Sequence, residues 1–128
     1  MAEHNVWLDI AKIDLKSAKK LIKDDDESMS VAIYLAHQSA EKALKAILVF
    51  HHSKVPKIHD LEELFDECFK LDQFVSVFKK QIVFLNQYEV NTRYPDDYFE
   101  LTREEVTKGI QIAEQVLKVV ATFLYVKI

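Results

Sequence analysis

The chain has 128 residues, 49% of them apolar and 30% charged, with a net charge of −4. That balance is typical of a soluble globular protein and offers no general attraction to nucleic acid or to an acidic membrane surface. A single cysteine excludes an internal disulfide and any Cys-x-x-Cys metal or redox pair, and one glycine with two prolines leaves room only for few, short loops.

The N-terminal stretch MAEHNVWLDIAKIDL carries acids among its apolar residues and does not read as a signal peptide. It opens the first predicted helix, Asn5 to Asp24. There Trp7, Ala11, Leu15, Ala18 and Ile22 recur at helical spacing, flanked by Ile10 and Leu21. The acidic run Asp24-Asp25-Asp26-Glu27 suits a solvated connector ahead of the next N-terminus better than a helix end, with Ser28 or Ser30 as the cap. The second helix, Met29 to His52, is rich in small residues: Ala32, Ala36, Ser39, Ala40, Ala43 and Ala46. Small side chains let a neighbouring axis come close, so this helix is expected at the centre of a bundle. VPKIHD ends it, because proline disfavours helix in the residue before it.

Asp60-Leu-Glu-Glu63 has the form of a capping box and opens a short third helix that runs to Leu71. Cys68 falls among its apolar positions and reads as a buried, inert thiol. A fourth helix is predicted from Phe74 to Val90, with Phe78, Ile82 and Leu85 on one side and Val77 and Phe84 on another. The connector YEVNTRYPDDYF follows, holding one of the two arginines, one of the two prolines and three of the five tyrosines. Thr102-Arg-Glu-Glu105 is a second capping box and starts the last helix. Its stripe runs Val106, Gly109, Ile110, Ala113, Val116, Leu117, Val120, Phe123 and Leu124. A further row, Ile112, Val119 and Val126, repeats every seven residues and suggests a subunit interface. No strand pattern, no internal repeat and no run near the ~20 apolar residues of a membrane span occurs. The expectation is one all-α domain over residues 1–128, cytoplasmic and homodimeric: an antiparallel up-and-down helical bundle of four long helices and one short one.

Several chemistries are excluded by pattern. The one glycine, Gly109, lies mid-helix, so no Gly-rich turn can cradle a phosphate, and both the P-loop and the dinucleotide fingerprint are ruled out. HExxH, EF-hand and zinc spacings are absent, as is a serine elbow, and neither a metal site nor a cofactor is expected. His51 and His52 point about 100° apart on a helix and would chelate poorly, so they read as a helix end.

What remains is polar and clustered. His37, Glu41 and Lys45 lie four apart on one face of the second helix. Their plain reading is a solvated face with a surface Glu–Lys pair; the functional one is a polar groove meeting a phosphate. His59 and Asp60 stand at the start of the third helix, where the dipole disfavours a protonated imidazole. His59 is either a turn histidine or an acid/base group. In the connector, Pro95 stiffens the turn at Tyr94, and Arg93 offers a planar donor fork for phosphate or carboxylate. Its structural alternative is pairing with Glu89, Asp96 or Asp97.

Three stretches together resemble the HEPN family, a nucleotide-binding helical domain: Tyr34-Leu-Ala-His37-Gln-Ser-Ala-Glu41-Lys42-Ala-Leu-Lys45-Ala-Ile, Pro56-Lys-Ile-His59-Asp60-Leu-Glu-Glu-Leu, and Arg93-Tyr-Pro-Asp. The resemblance implies an up-and-down bundle that commonly dimerises, frequent pairing with a separately encoded minimal nucleotidyltransferase, and in many members a metal-independent ribonuclease or toxin role. Ribonuclease members carry Arg followed by four to six residues and then His. Here no histidine follows Arg93 or Arg103, so that motif is absent. The sequence therefore points to a nucleotide- or phosphate-binding module without assigned catalytic residues, with His37, Lys45, His59, Asp60, Arg93, Tyr94 and Asp96 as candidate ligand-binding groups. Its rivals are a ribonuclease toxin using Arg93 with His59, and a purely structural adaptor.

Overall fold

A computed structural model describes residues 3–24, 28–88 and 101–126 of the chain, with the Asp24 and Val126 side chains outside that description. The described residues include five α-helices: α1 Glu3–Asp24, α2 Met29–Phe50, α3 Leu61–Leu71, α4 Lys79–Asn86 and α5 Arg103–Val126. The all-α bundle expected from the periodicity is what forms.

The small residues of α2 account for its central place. Ala32, Ala36, Ala40, Ala43 and Ala46 are all fully buried, and the Ser39 hydroxyl donates to the Ala11 carbonyl of α1 at 2.8 Å. α5 approaches α2 at Gly109, where a Cβ would overlap Ile33 Cδ1 and stand 3.5 Å from Leu85 Cδ1. α1 contributes Leu8, Ala11, Leu15 and Ala18 to the core, and α5 contributes Val106, Ala113, Val116, Val120 and Leu124.

Both predicted helix starts are capped, and at Thr102 the reciprocal box is complete. Asp60 Oδ1 accepts from the Glu62 and Glu63 amides at 2.9 and 3.0 Å. The Thr102 hydroxyl accepts from the Glu105 amide at 3.1 Å while the Glu105 carboxylate takes the Thr102 amide at 3.3 Å. α2 ends at Phe50 with His51 as its C-cap, and His52 turns the chain away at φ 59°. Cys68 is buried, its thiol donating to the Leu44 carbonyl at 3.2 Å, and burial pushes its pKa up to about 12. The inert-thiol reading holds.

Two features depart from the sequence reading. The fourth helical segment begins as a 3-10 stretch, Gln73–Phe78, and becomes α-helical only over Lys79–Asn86. Val75 and Phe78 are both buried, and a three-residue period places positions i and i+3 on one edge. The second departure is topological. His59 meets Glu41, Cys68 meets Leu44, and His51 meets Asp72. Numbers rise together along both helices, so α3 runs alongside α2 in the same direction, and the connector between them must double back. The other pairs of consecutive helices alternate. His4 packs edge-on against Phe50 across α1 and α2, Lys79 meets Asp66 across α4 and α3, and Phe84 and Tyr88 meet Lys108 and Glu105 across α4 and α5.

Candidate functional site

Helical spacing of four puts His37, Glu41 and Lys45 in one column. That column is not the solvated face its charges suggest. His37 is fully buried, Glu41 is 2% exposed and Lys45 6%. Glu41 Oε2 accepts from Lys45 Nζ at 3.0 Å, and Lys45 stands 5.9 Å over the Trp7 ring of α1. Because the connector doubles back, His59 returns to the level of Glu41, and its Nδ1 lies 3.2 Å from the same carboxylate oxygen. Glu41 thus holds two partners, Lys45 and His59, at one carboxylate. The His59 side chain is 65% exposed, so it is where this buried column reaches solvent.

His37 sits one turn further along. Among the described residues no group meets hydrogen-bond geometry at either ring nitrogen, although the Asn86 side chain lies nearby. Burial dominates its titration and lowers the pKa from 6.5 to about 4; Glu41, Asp60 and the nearby Asn86 amide oppose that, while His59 adds to it. The imidazole is therefore neutral throughout the physiological range.

Asp60 and Asn86 close the cluster. Besides capping α3, Asp60 Oδ1 accepts from Asn86 Nδ2 at 3.3 Å. The Asn86 side-chain carbonyl accepts from the Leu61 amide at 2.8 Å, and its amide also donates to Glu62 at 3.2 Å. Asn86 thus pins the end of α4 to the start of α3. Just beyond, the fully buried Tyr88 donates its hydroxyl to Glu105 Oε2 at 2.9 Å. Burial, reinforced by that carboxylate, pushes the Tyr88 phenol well above its ordinary range, and the same bond holds the Glu105 carboxyl low.

Four of the residues singled out in the sequence, His37, Lys45, His59 and Asp60, therefore come together where α3 begins, α4 ends and α5 begins. Arg93, Tyr94 and Asp96 lie outside the described residues. Sequence reasoning missed the linking role of Glu41 and the whole contribution of Asn86. The Glu41 signal was available in its four-residue spacing from His37 and Lys45, whereas nothing local marks Asn86. His51 faces Asp72, with Nε2 to Oδ2 at 2.6 Å. It behaves as the helix end it was read to be, and no metal-binding group of three His, Cys, Asp or Glu forms among the described residues.

Of the expected interface row, Ile112 is buried inside the protomer and Val119 packs partly against the core; the Val126 side chain lies outside the described residues. Ile112 is unavailable to a partner, because α5 tucks that position against its own neighbours. Among the described residues an exposed apolar row runs along α1 at Val6, Ile10 and Ile13, and Phe123 and Tyr125 are exposed near the end of α5.

A helical bundle with one buried polar column is the frame in which relatives can be compared. The HEPN domain family matches residues 4–123, and the chain belongs to that family. Among solved structures it is similar to TT1696 from Thermus thermophilus, with TM-score 0.77 and 24% identity over 95% of this chain and 98% of that one. It is also similar to ST0689, an archaeal HEPN homologue, with TM-score 0.74 and 25% identity over 97% and 99% of the two chains. No curated protein matches it. No helix among the described residues is long and apolar enough to cross a membrane.

Proposed function

We propose that this protein is a cytoplasmic HEPN-type nucleotide- or phosphate-binding module. In this reading it acts as a homodimer and works with a separately encoded minimal nucleotidyltransferase in a toxin–antitoxin-like pair. It is not itself a ribonuclease, because the Arg-x4-6-His motif is missing. The observation that carries the reading is the buried column His37–Glu41–Lys45 surfacing through His59. Desolvating an ion pair commonly costs more than the pair returns, and a hydrophobic replacement is often neutral or stabilising. Holding Glu41 and Lys45 inside therefore calls for a reason besides stability. The anchors at Tyr88 and Thr102, on either side of the Arg93 connector, stand at this same end of the bundle. A homodimer would cover the open apolar row of α1.

The test is thermal unfolding with a panel of adenine and guanine mono- and triphosphates, on the wild type and on His59→Ala. A ligand specific for the folded state adds about 2.7 kcal/mol at one hundred times its Kd. At least one nucleotide should raise the wild-type Tm by several degrees, and His59→Ala, altered at an exposed side chain, should keep its own Tm but lose that rise. If no nucleotide moves the wild type, the structural adaptor becomes the better reading.

One observation favours the ribonuclease rival. A buried carboxylate on Nδ1 fixes an imidazole tautomer and leaves Nε2 as a base, which is the Glu41–His59 arrangement. In that case His59 would move the proton and Arg93 would stabilise the phosphorane-like transition state. RNA cleavage in EDTA, abolished by Arg93→Ala and by His59→Ala, would put that rival ahead.

A further inference from the structure

The doubled-back connector does more than deliver His59. After His52 turns the chain out of α2, the Ser53 amide bonds back to the Leu48 carbonyl at 2.9 Å. The His51–Asp72 pair ties that end of α2 to the end of α3, and the far end of the connector is held by His59 on Glu41 and by the Asp60 cap. Between these two fastenings, residues 53–58 form an arch in which Pro56 can donate no amide. Under the arch, against α3, lies a cavity of about 250 Å³.

Its lining is divided. Leu48, Ile58 and Leu71 supply its apolar lining, while Ser53, Lys54 and Lys70 supply polar and charged groups. Glu67, also in the lining, accepts from Lys70 at 3.2 Å and so neutralises it. Lys54 makes no ion pair among the described residues. The lining therefore offers one uncompensated positive charge beside one hydroxyl, on a chain whose net charge is −4. The volume falls just below the ~300 Å³ at which drug-sized pockets begin, and such pockets pair apolar walls with a few fixed polar groups.

We propose that this cavity binds a small amphipathic monocarboxylate, its apolar body on Leu48, Ile58 and Leu71 and its carboxylate on Lys54 and the Ser53 hydroxyl. The site is separate from the His37–Glu41–Lys45 column and does not depend on what that column binds.

The test is a titration of the ¹⁵N-labelled full chain with sodium octanoate, followed by amide shifts. Saturable shifts are expected at Leu48, Ser53, Lys54, Ile58 and Leu71, with a Kd in the millimolar range or below. Lys54→Glu, a change at an exposed position, should keep the wild-type spectrum elsewhere and weaken octanoate by about tenfold or more, the worth of one charge-assisted hydrogen bond. Octanol, which has the same body without the charge, should bind the wild type correspondingly worse, and Ile58→Trp should remove binding by filling the cavity. An absence of saturable shifts at these amides up to about 10 mM octanoate would overturn the proposal. So would equal binding of octanoate by Lys54→Glu, or of octanol by the wild type.

Discussion

His37 is fully buried, with no partner on either ring nitrogen among the described residues, and that has a cost which pH can expose. In the unfolded chain the imidazole takes a proton below its ordinary pKa of 6.5, whereas in the folded chain burial holds it neutral down to about 4. Between those values the unfolded state binds more protons, so stability is complete above pH 6.5 and declines as pH falls through that window. A drop of this size corresponds to about 3 kcal/mol in all. His37→Leu should abolish that part of the decline, read as the difference between urea midpoints of variant and wild type from pH 7 to pH 4. Glu105 and Glu114 also titrate low, but both remain in the variant and cancel in the difference. An unchanged slope would mean that His37 is not what makes the bundle acid-sensitive. The same residue shows how far local reading reaches. The spacing of His37, Glu41 and Lys45 was plain in the sequence, but their burial was not. Burial requires α1 to lay Trp7 near Lys45 and a connector to bring His59 back from a distant position, and both are tertiary facts.

At the scale of helices, local signals were strong wherever a single element decides the outcome. The alanines of α2, the caps at Asp60 and Thr102, and the His51 helix end are each settled by chemistry within a few residues, and all form as read. The segment after Asp72 was harder, because buried positions three apart fit either the 3-10 stretch at Val75 and Phe78 or an α-helical turn. Gly109 tests the central packing directly. In an exposed helix interior Gly→Ala gains up to about 1 kcal/mol, but here the new methyl overlaps Ile33 Cδ1 in a fully buried setting, and overpacking costs about 1–3 kcal/mol. Crowding should win, so Gly109→Ala is expected to destabilise the chain by about 1 kcal/mol in chemical denaturation. Ile33→Val deletes the offending Cδ1. The double variant should then recover most of the loss attributed to crowding, giving a non-additive cycle. Strict additivity would show that α2 and α5 are not pressed together at this point.

At the scale of the whole molecule, the proposed homodimer requires a surface that a second copy can cover. The sevenfold row on α5 suggested itself from sequence because periodicity cannot tell an inner wall from an outer one. Ile112 proves to be inner. On α1, Val6, Ile10 and Ile13 follow a spacing of four and then three and are 46%, 38% and 62% exposed, an apolar stripe turned away from the core. Ile13→Glu should therefore change protomer stability by no more than about 0.5 kcal/mol, as exposed substitutions generally do. In a symmetric dimer packed through α1 it would place two carboxylates in one apolar contact. Sedimentation equilibrium at micromolar concentration should give a dimer for the wild type and a monomer for Ile13→Glu, with matching Tm values once both are monomeric. Val119→Lys supplies the contrast, since that side chain packs partly on its own core and its replacement should lower the protomer Tm whatever the assembly. A dimer that survives Ile13→Glu but is lost with Val119→Lys at unchanged Tm would move the interface back to α5. A monomeric wild type would remove the homodimer from the proposed function altogether.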